Sequence, residues 1–343
     1  MSEARPDSWT PPRSAPRRTA AESFGVRPSQ LTGAVLGERY KIHGYLRRGS
    51  SARVYLAEDL ETDGSVVIKM LSPAAARDSE LRQRIEAAQR ETQPLQHPNV
   101  IDLLGVAQTA SDVPYLVMEA LAGETLDEAL RRLGTLPLDL CLVVARQAAA
   151  GVAALHAAGF THADLKPENL MLLGAPEQPF GVKILNYGIA RHFRDSKADA
   201  PFDALQAAFL APEQLLDARH DRRSDVYALG VVLLQTLCGR LPFQGSHEGE
   251  CVRQKLNSDT LEAFWIDEAL DPRLESIVLN ATRKHPENRY GSAQELLDDL
   301  DVIVGLSSRD VRTRPLSRRP DSYEAESQAG RERLAKMTQD PAP

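Results

Sequence analysis

Cysteine is scarce. The 343-residue chain has three, Cys141, Cys238 and Cys251. None has metal-ligand spacing, and all lie in helix-like apolar segments. Buried, reduced thiols are therefore the expectation, as in a cytoplasmic protein. Long hydrophobic runs are missing too. Those near Cys141 to Ala145 and Ala228 to Leu234 fall far short of a bilayer, so no membrane span is expected. Met1 to Ala34 has no apolar core of the signal-peptide kind. Positive charge is in deficit, with 41 Lys and Arg against 48 Asp and Glu and a net charge of −7. That balance argues against nucleic acid as a main partner.

What the chain does have is a hydrophobic content of 42 %. That is enough for a sizeable core in one large or two ordinary domains. Residues 1–36 are rich in Pro, Arg, Ser and Ala and read as a disordered N-terminal extension. Residues 307–343 read as a disordered C-terminal tail. Both ends carry a small positive excess, so residues 37–306 are more acidic than the whole. Solvated tails are the expectation.

The core has two textures. Residues 37–120 hold short strand-like runs, Tyr40–Leu46, Arg53–Glu58, Ser65–Leu71 and Tyr115–Met118, with one helical stretch from Glu80 to about Thr92. Residues 121–306 are mainly helical. Leu142, Ala145, Ala149, Val152 and Leu155 recur at helical spacing within Leu138 to Ala158. Ser224 to Cys238 is more uniformly apolar, and Gly239 is a natural stop. Leu274–Thr282 and Ser292–Val304 complete the pattern. A small strand-rich lobe followed by a larger helical one predicts a ligand cleft between them.

Several polar segments punctuate this pattern. Leu46-Arg-Arg-Gly-Ser-Ser-Ala-Arg-Val54 joins two strands, and Val66-Val-Ile-Lys69 follows. Then come His162-Ala-Asp-Leu-Lys-Pro-Glu-Asn169, Asn186-Tyr-Gly188, Ala211-Pro-Glu213 and Ser224-Asp-Val-Tyr-Ala-Leu-Gly230. Each alone is weak evidence, but their order and distances together are strong. They resemble the signature set of the protein kinases, most closely the bacterial relatives of the eukaryotic Ser/Thr kinases. The resemblance covers Tyr40 to about Val304. It implies an α+β, bilobal protein-kinase fold, with a small antiparallel β-rich N-lobe carrying one main helix and a larger helical C-lobe.

The resemblance also implies an ATP site, where catalysis is mostly positioning and electrostatics. Lys69 matches the lysine that holds the α- and β-phosphates. Asp164 matches the base that accepts the substrate hydroxyl proton, and Lys166 the lysine that steadies the transferred phosphoryl. Asn169 matches the amide ligand of the second Mg²⁺. Glu119 and Leu121 match the linker whose backbone bonds adenine. Met171 matches the floor beneath the base, while Leu46, Gly49 and Val54 belong to the phosphate loop and its flanks. Asp225 and Arg289 match buried polar residues that organise the helical lobe.

Other positions depart from the family pattern. The phosphate loop expects glycine at Arg47, Gly49 and Ala52, and only Gly49 remains. Side chains there limit how closely backbone N–H groups approach phosphate. Val67 replaces a smaller residue against the adenine face. Ala88 stands where a helix glutamate should pair with Lys69. Glu91, one turn on, is within reach only if the register slips. Ala163 replaces the arginine that grips an activation-loop phosphate, and Ser196 is the one hydroxyl residue left in that loop outside Tyr187. Gln206 replaces the threonine that ties the loop to the base. Asn186 replaces an aspartate, so this metal position keeps an oxygen donor but loses its charge.

Two readings follow. In the first, the chain is a pseudokinase, with a degraded metal and phosphate site, acting as a nucleotide-linked regulator or scaffold. In the second, it is a weakly active Ser/Thr protein kinase with Asn169 and Asn186 as neutral metal ligands. The expected cofactors are ATP, or another nucleotide, and weakly held or absent Mg²⁺. A protein partner or substrate is expected but is not identified by the residues.

Overall fold

The computed structural model describes residues 31–48, 52–72, 75–91, 95–175, 178–188, 204–216, 220–243, 248–258 and 272–307. They fall into two compact units. One takes the described residues of Met1–His97, Ile101–Leu121 and Asn186–Asp199. The other takes those of Pro98–Val100, Ala122–Leu185 and Ala200–Pro343.

The first unit is built on a six-stranded antiparallel sheet. Its strands are β1 (Val35–Leu36), β2 (Tyr40–Arg48), β3 (Ala52–Asp59), β4 (Gly64–Leu71), β5 (Leu103–Gln108) and β6 (Pro114–Glu119). They are ordered β1-β2-β3-β4-β6-β5. The pleat sends alternate side chains of β3 to one face, where Tyr55 and Ala57 are buried, and Val54 is buried on the other. Helix α1 (Ser79–Glu91) follows β4. The sheet begins earlier than the expected boundary at Gly37, because Val35 pairs with Lys41 and Leu36 with Tyr40. Leu31 and Leu36, bulky apolar residues in a polar stretch, are buried against it. The edge is pinned by Arg39, whose Nε and Nη2 each donate 2.7 Å bonds to the Asp59 carboxylate.

The second unit combines a three-stranded sheet with eight helices among the described residues. The strands are β7 (Gly123–Thr125), β8 (Leu170–Ala175) and β9 (Gln178–Ile184), and the helices that follow β7 are α2 (Leu126–Leu133) and α3 (Leu138–Ala157). Further on come α4 (Ala204–Phe209), α5 (Pro212–Leu216), α6 (Arg222–Cys238), α7 (Glu248–Asn257), α8 (Pro272–Ala281) and α9 (Ala293–Ser307).

Local chemistry sets the helix ends. Thr125 and Glu128 form a reciprocal capping box at the start of α2, and Asp221 and Ser224 form one at α6. Gly239 ends α6 in the left-handed region at φ 68°, where a residue without Cβ is unstrained. Gly230 lies within α6 because a Cβ there would come 2.7 Å from Ala281 Cβ on α8.

Helix α3 is 20 residues long with mean hydropathy 1.6, enough by length and composition to cross a membrane. The short apolar runs of the sequence did not reveal a stretch of this length, because its apolarity is spread over alanines. Half of the stretch is buried, and its neighbours are α6, α9 and β9. That is the packing of a core helix. The expected disordered segments fall almost wholly outside the described residues, apart from 31–36 and the last residue of α9.

Candidate active site

In the first unit the site is built on β4. Lys69 is paired across the sheet with Val54 and Leu116, and it is 6 % exposed. An ammonium so enclosed needs a polar partner. It has one in Asn186, whose Oδ1 accepts a 2.7 Å hydrogen bond from Lys69 Nζ. The expected choice for Lys69 lay between Ala88 and Glu91 on α1. Both positions lie on the described helix, but their side chains lie outside the described residues.

Asn186 has φ 63°. Asparagine is among the few non-glycine residues that adopt this conformation readily. Sequence reasoning placed Asn186 as a metal ligand and missed that its oxygen faces a lysine. A neutral amide accepts that bond without forming an ion pair. Tyr187, next in the chain, is fully buried. Burial, with Asp102 and Glu119 nearby, pushes its hydroxyl up to about 12.

The remaining first-unit positions divide. Val54 is buried, whereas Leu46 is 52 % exposed. Ala52 is buried at the start of β3. Gly49 and Ser196 lie outside the described residues, as does the side chain of Arg47. Glu119 ends β6, and its Oε1 accepts a 2.8 Å bond from the Asp102 amide. Leu121 follows in the connector.

In the second unit the segment His162–Asn169 is held from several sides. Asp225 on α6 accepts from the His162 amide at 2.8 Å and from the Ala163 amide at 2.7 Å. Its carboxylate also lies 2.9 Å from His156 Nε2. This grip holds Ala163 at φ 62°, a conformation that costs an alanine roughly 1–2 kcal/mol. His162 Nδ1 accepts from the Asp164 amide, so Nε2 carries the hydrogen and donates to the Leu185 carbonyl at 2.8 Å. Leu185 N in turn donates to Asn169 O. The catalytic-type loop and the end of β9, next to Asn186, are thereby stitched together through backbone.

Asp164 is 8 % exposed. Its Oδ2 accepts from Asn169 Nδ2 at 2.9 Å and its Oδ1 from Gln206 Nε2 at 3.2 Å. The same Asn169 nitrogen donates to Asp164 O at 2.7 Å. With its nitrogen committed, Asn169 has Oδ1 as the atom able to meet a cation. The Gln206 bond corrects an expectation, because the tie from loop to base survives with an amide in place of a hydroxyl. A longer side chain spans the same need, and pattern reasoning had treated it as a loss.

Lys166 precedes the 3-10 turn Pro167–Asn169 and is half-buried. Met171, on β8, pairs with Thr125 and Lys183 and is half-buried. Beneath the loop, Arg289 is fully buried and donates to both Glu213 oxygens at 2.8 Å. Burial pushes Glu213 up, but the Arg289 bonds outweigh it and hold the carboxyl below its ordinary value.

A buried strand lysine held by a side-chain oxygen, and a loop aspartate held by an asparagine five residues on, are the groups that the resemblance to protein kinases led one to expect, in that order. The comparison with known families agrees. The model described as "Protein kinase domain" matches residues 40–300. The chain belongs to the protein kinase family.

Among curated relatives, it is 33 % identical over 270 residues to serine/threonine-protein kinase PknB of Mycobacterium leprae, covering 77 % of this chain and 43 % of that one. It is 31 % identical over 271 residues to serine/threonine-protein kinase PrkC of Bacillus subtilis, covering 79 % and 41 %. The chain thus spans less than half the length of these two relatives. Among solved structures, the kinase domain of Mycobacterium tuberculosis PknI superposes with a TM-score of 0.61 at 24 % identity, covering 79 % of this chain and 98 % of that one.

Proposed function

We propose that the chain carries an ATP-dependent protein kinase domain of the Ser/Thr type, with weak intrinsic activity. It would transfer the γ-phosphate of ATP to hydroxyl groups on protein. The observation that carries this reading is Asp164, buried and held on both carboxylate oxygens by Asn169 and Gln206. A base held in this way is positioned to accept a proton from an incoming hydroxyl, and proton transfer of this kind contributes about 10²–10⁴-fold. Lys166, two residues on, is the cation available to the transferred group. The Lys69 ammonium is the cation available to the other phosphates.

ATP and Mg²⁺ are the family's cofactors. Within the second unit the Asn169 oxygen would be a hard, uncharged donor to such an ion; within the first, the Asn186 oxygen is also uncharged and accepts from Lys69. When bound, the ion neutralises phosphate charge; the chain's own contribution is to orient it and to position Asp164. A slow rate follows from the missing charge at Asn186.

The Lys69–Asn186 contact also favours a second reading, a pseudokinase that binds nucleotide and acts as a regulator. Substrate and protein partner are proposals under either reading. The free thiols of Cys141, Cys238 and Cys251 support a cytoplasmic working compartment.

The deciding experiment titrates ATP calorimetrically with and without Mg²⁺. Mass spectrometry then looks for phosphate on the chain or on an added acceptor protein. Transfer by the wild type, lost in Asp164→Ala, supports the kinase reading. Nucleotide binding without transfer at any Mg²⁺ concentration supports the pseudokinase instead.

A further inference from the structure

Lys255 on α7 is a buried cation that the catalytic reading does not use. It is 1 % exposed. Its Nζ donates to three backbone carbonyls of one segment, Ala207 O at 2.8 Å, Ala208 O at 2.8 Å and Leu210 O at 2.5 Å. These carbonyls belong to the last turn of α4 and the residue just past it, where a helix leaves its acceptors unsatisfied. Ala207, Ala208, Phe209, Leu210 and Ala211 are all buried, so water does not reach the segment freely and a protein donor is needed. The ammonium also lies over two rings, 5.0 Å from the centroid of Tyr227 and 5.6 Å from that of Phe243, which favours a cation there.

Burial opposes the charge and lowers the Lys255 pKa to about 7, so the ammonium with its three donors is the form held below that pH. The groups acting on it are Cys251 on its own helix, Arg289 and Glu213. Glu213 is already engaged by Arg289, so the three carbonyls are the principal polar partners of Lys255 among the described residues. A hydrophobic side chain would fill this space without the desolvation cost of a charge. An ammonium at this place, with three donors aimed at one helix end, has a specific geometric consequence.

We infer that Lys255 is a positioning residue for the phosphotransfer site, locking α4 by its carbonyl end so that Gln206 on that helix keeps its hydrogen bond to Asp164. The chain of contacts is short. Lys255 holds the carbonyls at 207, 208 and 210, Gln206 precedes them by one residue, and Gln206 Nε2 reaches Asp164 Oδ1 at 3.2 Å. All of it lies within one unit. Release of α4 would free Gln206 and leave Asp164 with Asn169 alone among these two side-chain holds. The inference rests on the kinase reading for its effect on rate, but its structural part stands apart from that reading.

The test uses the full chain with Lys255→Met, which keeps length and volume and removes all three donors. Hydrogen–deuterium exchange is followed in peptides covering 204–211 and 161–166. Phosphate transfer to casein is measured in parallel. The expected result is faster exchange in both peptides. The turnover number should fall by about tenfold through misplacement of the base, with the KM for ATP within twofold of wild type. Gln206→Leu should lower turnover similarly without speeding exchange at 207–211, and the double variant should be no slower than the worse single.

Faster exchange at 204–211 with unchanged exchange at 161–166 would reduce Lys255 to a structural strut and overturn the inference. So would multiplicative losses in the double variant. If Lys255→Met does not fold, Lys255→Gln, which retains an amide donor, should give an intermediate effect, and no effect counts against the proposal. If the wild type transfers no phosphate, the kinase reading fails, while the two exchange measurements still decide whether Lys255 holds Asp164 through α4.

Discussion

Lys69 Nζ donates a 2.7 Å hydrogen bond to Asn186 Oδ1, joining residues 117 positions apart. A strand lysine and a loop amide thus satisfy each other in a buried place. Asn186 accepts this bond as a neutral amide, so it brings no negative charge of its own to a divalent cation.

Restoring the carboxylate should supply that charge. Asn186→Asp is expected to raise Mg²⁺-dependent ATP affinity by roughly tenfold or more. It also turns the Lys69 contact into an ion pair. Calorimetry at several Mg²⁺ concentrations reads the change, and an unaltered Mg²⁺ dependence would show that position 186 does not meet the metal.

Asp164→Ala should abolish the proton-accepting step and lower transfer by about 10²–10⁴-fold. ATP affinity should stay close to wild type, because Asp164 is engaged by Asn169 and Gln206 and its proposed contact is the acceptor hydroxyl. An equal loss of nucleotide binding would reassign Asp164 to the nucleotide.

The Arg289–Glu213 pair supports the loop from below. Arg289 is fully buried and bidentate, so Arg289→Met leaves the Glu213 carboxylate without its main partner. Breaking a buried pair from one side costs about 3–5 kcal/mol. Urea denaturation should show that loss, and the double variant with Glu213→Gln should recover part of it.

Lys255 gives stability a pH dependence of defined sign. Its folded pKa is lowered by burial to about 7 from the ordinary 10.5, so between these limits the unfolded chain binds more protons. Its contribution is fully present above the unfolded value and is lost as pH falls through the folded one. Unfolding free energies of wild type and Lys255→Met, measured from pH 6 to 10, should therefore shift in favour of wild type as pH rises. A difference independent of pH would mean that Lys255 titrates alike in both states.

Much of this was legible in the residues. The strands around Lys69, the helix from Leu138 and the stop at Gly239 follow from period, capping and the φ a glycine allows, all local causes. So does the order of polar segments that marks the family. The strand β1 and the short helices α4, α5 and α7 were not legible, because a few residues of pattern cannot outweigh the loop composition around them.

By itself, then, the amino-acid sequence determined which groups are present and in what order: Lys69, Asp164, Lys166, Asn169 and an amide at 186. The tertiary structure decided what those groups do to one another. That Asn186 partners Lys69, that Gln206 retains the hold on Asp164, and that Lys255 seats its charge on three carbonyls are outcomes of packing between distant segments. Hydrogen bonds of this kind depend on distances of a few tenths of an ångström, which spacing along a chain does not specify.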